Sequence, residues 1–263
     1  MKTFEVPITI LEERNNKTMY TQTITKMQEM KLHGMAKSFH ERRTKPDHQD
    51  LNHDEFTALL IDDEYIQRQN NRQRRLLQRA KLKFSSAALE NIDYKQKRDL
   101  SKSKITSLQN TQWLEKHQNI LISGPTGVGK SYIVCAFGQW ACRNGFTVYY
   151  SRWPRMLGDI MAARGEGNYL KYLQRLSKVS LLIIDDFGIN SLTDTDKKDL
   201  MEIIEDRYMT GSTIIASQLP IKDWHAFIGD PTIADAVCDR LFHVAHKFAL
   251  KGDSMREKLE NID

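Results

Sequence analysis

The chain has 263 residues, 28% charged and 40% hydrophobic, with a formal net charge of +5, which suits one full-sized domain and a smaller one around a normal buried core. No run approaches the roughly 20 apolar residues of a membrane span, and Met1-Lys2-Thr3-Phe4-Glu5 carries acid early and no apolar signal core, so the expected location is the cytoplasm. Cys135, Cys142 and Cys238 are odd in number and lack CxxC spacing, which argues against a disulfide framework or a zinc site and for reduced, buried thiols.

Residues 1–18 show no clear period and are expected to form an extended or disordered arm. Residues 23–41 carry Ile24, Met27, Leu32, Met35, Ala36 and Phe39 at helical spacing, interrupted by Gly34. Thr44-Lys45-Pro46-Asp47 breaks the pattern, and residues 54–83 resume it with Phe56, Leu59, Leu60, Tyr65 and Ile66. Residues 19–110 therefore read as a small all-helical N-terminal domain, followed by a second domain over 111–263.

The basic excess belongs to the front of the chain, where residues 1–110 hold 21 Lys/Arg against 15 Asp/Glu, while the remainder holds 18 against 19. Between Glu64 and Glu90 no acid occurs, yet Arg68, Arg72, Arg74, Arg75, Arg79, Lys81 and Lys83 do. Such a block suits a nucleic-acid backbone, since each neutralised phosphate releases counterions. A solvated helix face is the alternative that the run alone leaves open.

From residue 111 short apolar or β-branched runs, at 119–123, 147–151, 179–186 and 212–217, alternate with helical stretches. The alternation predicts an α/β domain with a parallel sheet flanked by helices and a ligand at the carboxyl ends of its strands. Directly after the first run, Gly124-Pro125-Thr126-Gly127-Val128-Gly129-Lys130-Ser131 fits the phosphate-loop pattern GxxxxGK[ST]. Glycines let successive N–H groups turn towards a polyphosphate, Lys130 reaches its terminal phosphates, and the Ser131 hydroxyl is placed to ligate Mg²⁺. The helix that follows presents its anion-favouring end to the same site.

The third run, Val179-Ser-Leu-Leu-Ile-Ile-Asp185-Asp186, is a buried strand ending in two carboxylates. At the end of a strand neighbouring the loop, Asp185 is assigned to the metal and Asp186 to the attacking water. The fourth run ends at Ser217-Gln218, where a γ-phosphate sensor belongs; Gln218 is the first candidate and Ser217 the second. Arg240 follows Asp239 on a further helix, and spacing fits equally a transition-state arginine from a neighbouring subunit and a surface ion pair. His243 and His246 read as a surface pair, leaving Mg²⁺ as the expected metal.

These blocks, in order, resemble the IstB-like transposition helper ATPases, relatives of DnaC-type helicase loaders within the AAA+ superfamily. The resemblance rests on Leu32-His-Gly-Met-Ala36, the phosphate loop, Leu181-Leu-Ile-Ile-Asp-Asp-Phe-Gly188, Glu202-Ile-Ile-Glu-Asp-Arg-Tyr208 and Ser217-Gln-Leu-Pro220 with Trp224-His225. It continues through Ala234-Asp-Ala236, Asp239-Arg-Leu241 and Gly252-Asp-Ser-Met-Arg256. It implies a P-loop NTPase fold of AAA+ type without a C-terminal lid domain, ATP and Mg²⁺ as cofactors, Arg240 as arginine finger and Arg256 as a second nucleotide-sensing arginine. It also implies self-association into an ATP-dependent ring or spiral on duplex DNA, largely independent of sequence, and a cognate transposase as partner. A replicative helicase loader that grips single-stranded DNA is the nearest rival; an ATP-binding scaffold that barely turns over stays open because Asp186 stands where AAA+ sites usually carry glutamate.

Overall fold

Five strands form one parallel sheet in the computed structural model, which describes residues 8–44, 51–96 and 98–255. They are β1 (Asn119–Ser123), β2 (Val148–Arg152), β3 (Leu181–Phe187), β4 (Ser212–Ser217) and β5 (Ala245–Ala249), in the order β2-β3-β4-β1-β5. The four expected runs are all strands. The expectation that the acidic strand neighbours the loop strand is corrected, because β4 lies between β1 and β3. β5 was not expected: Ala-His-Lys-Phe-Ala is short and largely polar, and as an edge strand it needs only β1 as its pairing partner.

Apolar character on both sides of the strands dictates helices on both faces. Ile120, Ile122, Leu181, Ile183, Ile214 and Ala216 share one cluster with α6 (Lys130–Arg143), while Leu121, Leu182, Ile184 and Ile215 belong to the other. On that second face lie α7 (Trp153–Gly165), α8 (Tyr169–Lys178), α9 (Asp194–Arg207), α10 (Trp224–Ile228) and α11 (Pro231–Phe242). Gly138 sets the approach of α6, since a Cβ there would lie 2.8 Å from both Ile183 Cδ1 and Leu82 Cδ2. At the end of β3, Phe187 is clasped by Trp153, Trp224 and Phe227, with ring centroids 5.7, 5.0 and 5.5 Å away. That aromatic cluster anchors the strand end carrying the two aspartates.

The buried guanidinium of Arg207 ties the amino ends of the strands together. It donates to the carbonyls of Leu176 (2.5 Å), Val179 (3.0 Å) and Ser212 (2.5 Å) and to Thr213 Oγ1 (3.1 Å). Burial pulls its pKa down to about 10. The three cysteines are buried and free, as expected, and desolvation pushes the Cys135 and Cys142 thiols up to about 11 and about 12.

The chain divides into the compact units Met1–Arg72 and Gln73–Asp263, so the boundary expected at 110/111 moves into α3 (His53–Ala80). Residues 73–110 join the sheet-bearing unit because Ala80, Leu82, Ala87, Leu89, Ile92, Ile105 and Leu108 pack with the α6 cluster. Most of these apolar positions lie in irregular chain, where they carry no period that sequence reading could register.

The first unit contains α1 (Ile8–Glu29) and α2 (His33–Thr44) with the first part of α3. Residues 8–18 are helical, not an extended arm; residues 1–7 lie outside the described residues. The helical repeat expected over 23–41 with an interruption at Gly34 runs through two helices whose break falls at Lys31, with φ +59. Gly34 instead lets α2 meet α3 closely, since a Cβ there would stand 2.8 Å from Asp63 O and from Glu64 Cα. Glu64 Oε2 accepts the N–H groups of Gly34 (2.7 Å) and Met35 (3.1 Å), capping α2 from a neighbouring helix. Asn52 and Glu55 form a reciprocal capping box at the start of α3.

Candidate functional site

β1 ends at Ser123, and the loop that follows bends through backbone conformations open mainly to glycine. Gly127 has φ +84 and Gly129 φ +96. A Cβ on Gly129 would lie 2.7 Å from Arg98 Nη1, and one on Gly127 would collide with Ser254. Val128 is buried and pins the loop to the core, leaving Pro125 and Thr126 exposed at its tip. Lys130 Nζ donates to the carbonyls of Gly124 (2.7 Å) and Pro125 (2.8 Å), which holds the ammonium inside the loop it serves. Ser131 is half-buried in the first turn of α6, whose N-terminus opens on the same loop.

The acidic strand reaches this end of the sheet through a bulge. Ile184 pairs with Ile215 and Phe187 with Ser217, so Asp185 and Asp186 together oppose Ala216. Asp186 takes φ +58, the left-handed conformation that Asp tolerates better than most residues. Asp185 is fully buried; its Oδ2 accepts from the Tyr150 phenol (2.8 Å) and its Oδ1 from the Asp186 N–H (2.9 Å). Burial, and then the Asp185 charge, push the Tyr150 phenol far up, so it stays protonated and donates. Asp186 is less buried and accepts from Arg152 Nε at 2.6 Å.

The buried carboxylate of Asp185, the Ser131 hydroxyl and the glycine cradle form a donor set that fits a hard, oxygen-seeking cation beside a polyphosphate. Ser217 serves the fold instead, because its hydroxyl donates to Phe187 O (2.7 Å) and accepts from Leu219 N (3.0 Å), locking the ends of β3 and β4 together. Gln218, beside it, is exposed.

Arg240 stands at the other end of the sheet. Asn119, the first residue of β1, donates to the Arg240 carbonyl at 3.4 Å. The Arg240 guanidinium reaches Glu205 Oε2 (2.5 Å) and Ala236 O (2.9 Å) and lies 5.9 Å from the Tyr208 ring centroid. The full length of β1 therefore separates Arg240 from the phosphate loop of its own chain. Arg256 lies outside the described residues.

The basic run is exposed throughout: Arg68, paired with Glu64 (2.6 Å), and Arg72, Arg74, Arg75, Arg79, Lys81 and Lys83. Sequence reasoning missed Tyr150 and Arg152, which enter only because Arg152 stands in register with Asp185. It missed Arg98 too, a buried arginine donating to Val128 O (3.1 Å) and Asp93 O (2.6 Å), with its pKa lowered by burial. It also missed the segment after β5, where Leu250 N donates to Ser123 O (2.7 Å) and Met255 N to Gly127 O (2.9 Å).

A five-stranded parallel sheet with a glycine-rich loop after β1 and two carboxylates at the end of β3 defines the P-loop NTPase fold. Residues 25–261 match the family described as IstB-like ATP binding protein, and the chain belongs to that family. It is 42% identical over 234 residues, 89% of this chain and 95% of the other, to a Sinorhizobium fredii protein named as a putative insertion sequence ATP-binding protein. Among solved structures, DnaI superposes with TM-score 0.54 at 18% identity, covering 67% of this chain and 93% of that one. AMPPCP-bound DnaA from Aquifex aeolicus gives 0.53 at 20%, covering 66% and 55%. At that level of identity these two likenesses show the shared fold. The chain is thus an ATP-binding protein of an insertion-sequence family, and no helix among its described residues is long and apolar enough to cross a membrane.

Proposed function

We propose that this chain is an ATP-hydrolysing transposition helper that assembles on duplex target DNA, presents it to a cognate transposase, and is released from it by hydrolysis. The observation that carries the reading is the division of the site: phosphate loop and aspartates sit at the carboxyl ends of the strands, and Arg240 at the amino ends. A complete site then needs a second copy of the chain to bring its own Arg240 to this loop, so ATP between copies drives assembly.

Mg²⁺ and ATP, when bound, supply the reacting γ-phosphate and the metal charge that offsets it. The chain's own residues do the rest. The N–H groups of residues 126–131 would cradle the phosphates, and Lys130 would neutralise the terminal ones. Ser131 and Asp185 would hold the metal, and Asp186 would orient water for in-line attack. Gln218, exposed at the end of β4, is the sensor candidate, because the one hydroxyl proton of Ser217 is spent on structure. Arg256 would be a second nucleotide-sensing arginine. The arginines and lysines between Arg72 and Lys83 grip the DNA backbone, which makes binding salt-sensitive and nearly sequence-independent.

The test is binding to matched duplex and single-stranded DNA with ATP, ADP or no nucleotide, with assembly size followed by light scattering. ATP-dependent assembly on duplex is the expected result. A strong preference for single strands would favour a helicase loader.

A further inference from the structure

A backbone cradle holds a polyphosphate with N–H groups, so each peptide that turns its N–H inwards sends its carbonyl outwards, because a trans peptide carries the two on opposite sides. Outward carbonyls cut off from water need donors from elsewhere in the chain. Two such carbonyls of the loop have them. Gly127 O, which shares a peptide with the Val128 N–H, accepts from Met255 N (2.9 Å). Val128 O, which shares a peptide with the Gly129 N–H, accepts from Arg98 Nη1 (3.1 Å).

Arg98 is 5% exposed, and the second arm of its guanidinium, Nη2, donates to Asp93 O (2.6 Å), which fixes the plane of the fork. Its Nε is buried without a hydrogen-bond partner. No carboxylate among the described residues forms an ion pair with it; burial pulls its pKa down, and the Asp93 charge offsets that only in part. A buried cation without a counter-charge is costly, and a neutral donor could have capped one carbonyl for less. Beside an anion cradle the charge has a use, since attraction to a bound polyphosphate offsets the cost of burying it. The fit against the loop is close: a Cβ on Gly129 would lie 2.7 Å from Nη1. Lys251 N donates to Arg98 O (3.2 Å) and Lys251 Nζ pairs with Asp99 (2.9 Å), so the chain before β1 and the chain after β5 are joined at Arg98.

We propose that Arg98 is a positioning residue for polyphosphate binding: from outside the loop it fixes the Val128–Gly129 peptide, as the Met255 N–H fixes the Gly127–Val128 peptide, so that the Val128 and Gly129 N–H groups face the ligand. The inference rests on the reading of residues 124–131 as the phosphate loop. Arg98 acts through the backbone it holds and does not touch the ligand; such support from behind keeps a binding group in its productive geometry.

The test measures binding of ATP and of inorganic tripolyphosphate, each with Mg²⁺, to the full chain by isothermal titration. Wild type, Arg98→Met, Arg98→Lys and Lys130→Ala are compared, with thermal midpoints of the ligand-free proteins. Tripolyphosphate carries the phosphates without base or sugar. Arg98→Met should weaken both ligands by the same factor, roughly ten-fold to a hundred-fold in Kd, as expected for one lost charge-assisted bond. Arg98→Lys, which keeps a cation and a donor, should recover part of that loss. A folded Arg98→Met protein that binds tripolyphosphate as wild type does overturns the proposal, and loss of ATP binding alone would place Arg98 against the nucleoside. Tighter binding overturns it too, since Arg98 would then occupy the ligand's place. Should Arg98→Met fail to fold, the wild-type protein carries the test: the Arg98 guanidinium protons, followed by NMR, should stay protected from exchange when tripolyphosphate binds. Their release on binding overturns the proposal. A wild-type chain that binds neither ligand, or a Lys130→Ala protein that binds both normally, would overturn the phosphate-loop reading itself, whatever Arg98 does.

Discussion

If the Arg240 guanidinium completes a neighbour's site, two inactive variants should repair each other. Arg240 is held at the amino end of β1 by the Asn119 side chain, and the phosphate loop begins beyond Ser123 at the other end. Four residue steps of strand span about 13 Å, and the loop extends further still. An arginine tied to Glu205 and to its own helix cannot cover that span, so action within one chain is excluded by geometry. Removing an arginine that stabilises transition-state charge costs roughly 10³–10⁵ in kcat. Arg240→Ala and Asp186→Asn should therefore each be nearly inactive while still binding ATP. In an equimolar mixture that assembles at random, about a quarter of the interfaces join an intact Asp186 to an intact Arg240 in a head-to-tail contact. The mixture should recover about a quarter of the wild-type rate per chain. Steady-state phosphate release on DNA, with each variant first checked for nucleotide binding, reads this directly. A mixture no faster than its components, in assemblies shown to contain both variants, would falsify the shared site.

Glu64 should make the helical unit acid-sensitive. Burial raises its pKa, but hydrogen bonds from Arg68 and from the N–H groups of Met35 and Gly34 outweigh this and hold it below its ordinary value of 4.5. Its contribution is thus fully present above that pH and is lost as pH falls through the lower folded value. Glu64→Ala should cost about 1–2 kcal/mol, read in the full chain as faster hydrogen exchange at the Gly34 and Met35 amides; unchanged protection would refute the cap. Arg207→Met should destabilise the sheet-bearing unit by about 3 kcal/mol or more, because it removes charge-assisted bonds and strands buried carbonyls. A thermal midpoint within a degree of wild type would show that water replaces the guanidinium at no cost. Neutralising Arg72, Arg74, Arg75 and Arg79 together should weaken duplex binding equally across sequences and flatten its salt dependence. An unchanged slope would return the run to a solvated helix face.

The parts legible in the sequence are those whose chemistry is local. The phosphate loop declares itself because eight consecutive residues make the cradle, and Asp185 because a buried strand ending in carboxylates follows it. β5 and the helical character of residues 8–18 were not legible, since each draws on a partner or a continuing helix and not on an apolar period of its own. The moved domain boundary has the same cause: Leu82, Ala87, Leu89 and Ile92 are buried one at a time by α6 neighbours far along the chain. At the site, Ser217 and Gln218 are indistinguishable as letters. The β3 bulge separates them, because it brings the Phe187 carbonyl onto the Ser217 hydroxyl and leaves Gln218 at the surface. Arg152 shows the limit most plainly. Asp186 is a carboxylate wherever it is read, but its hydrogen bond to Arg152 depends on the β2–β3 register, which is a long-range property. Motif spacing can therefore pick out the candidate groups for ATP. The side chain that pairs with one of them is a matter of how the strands pair.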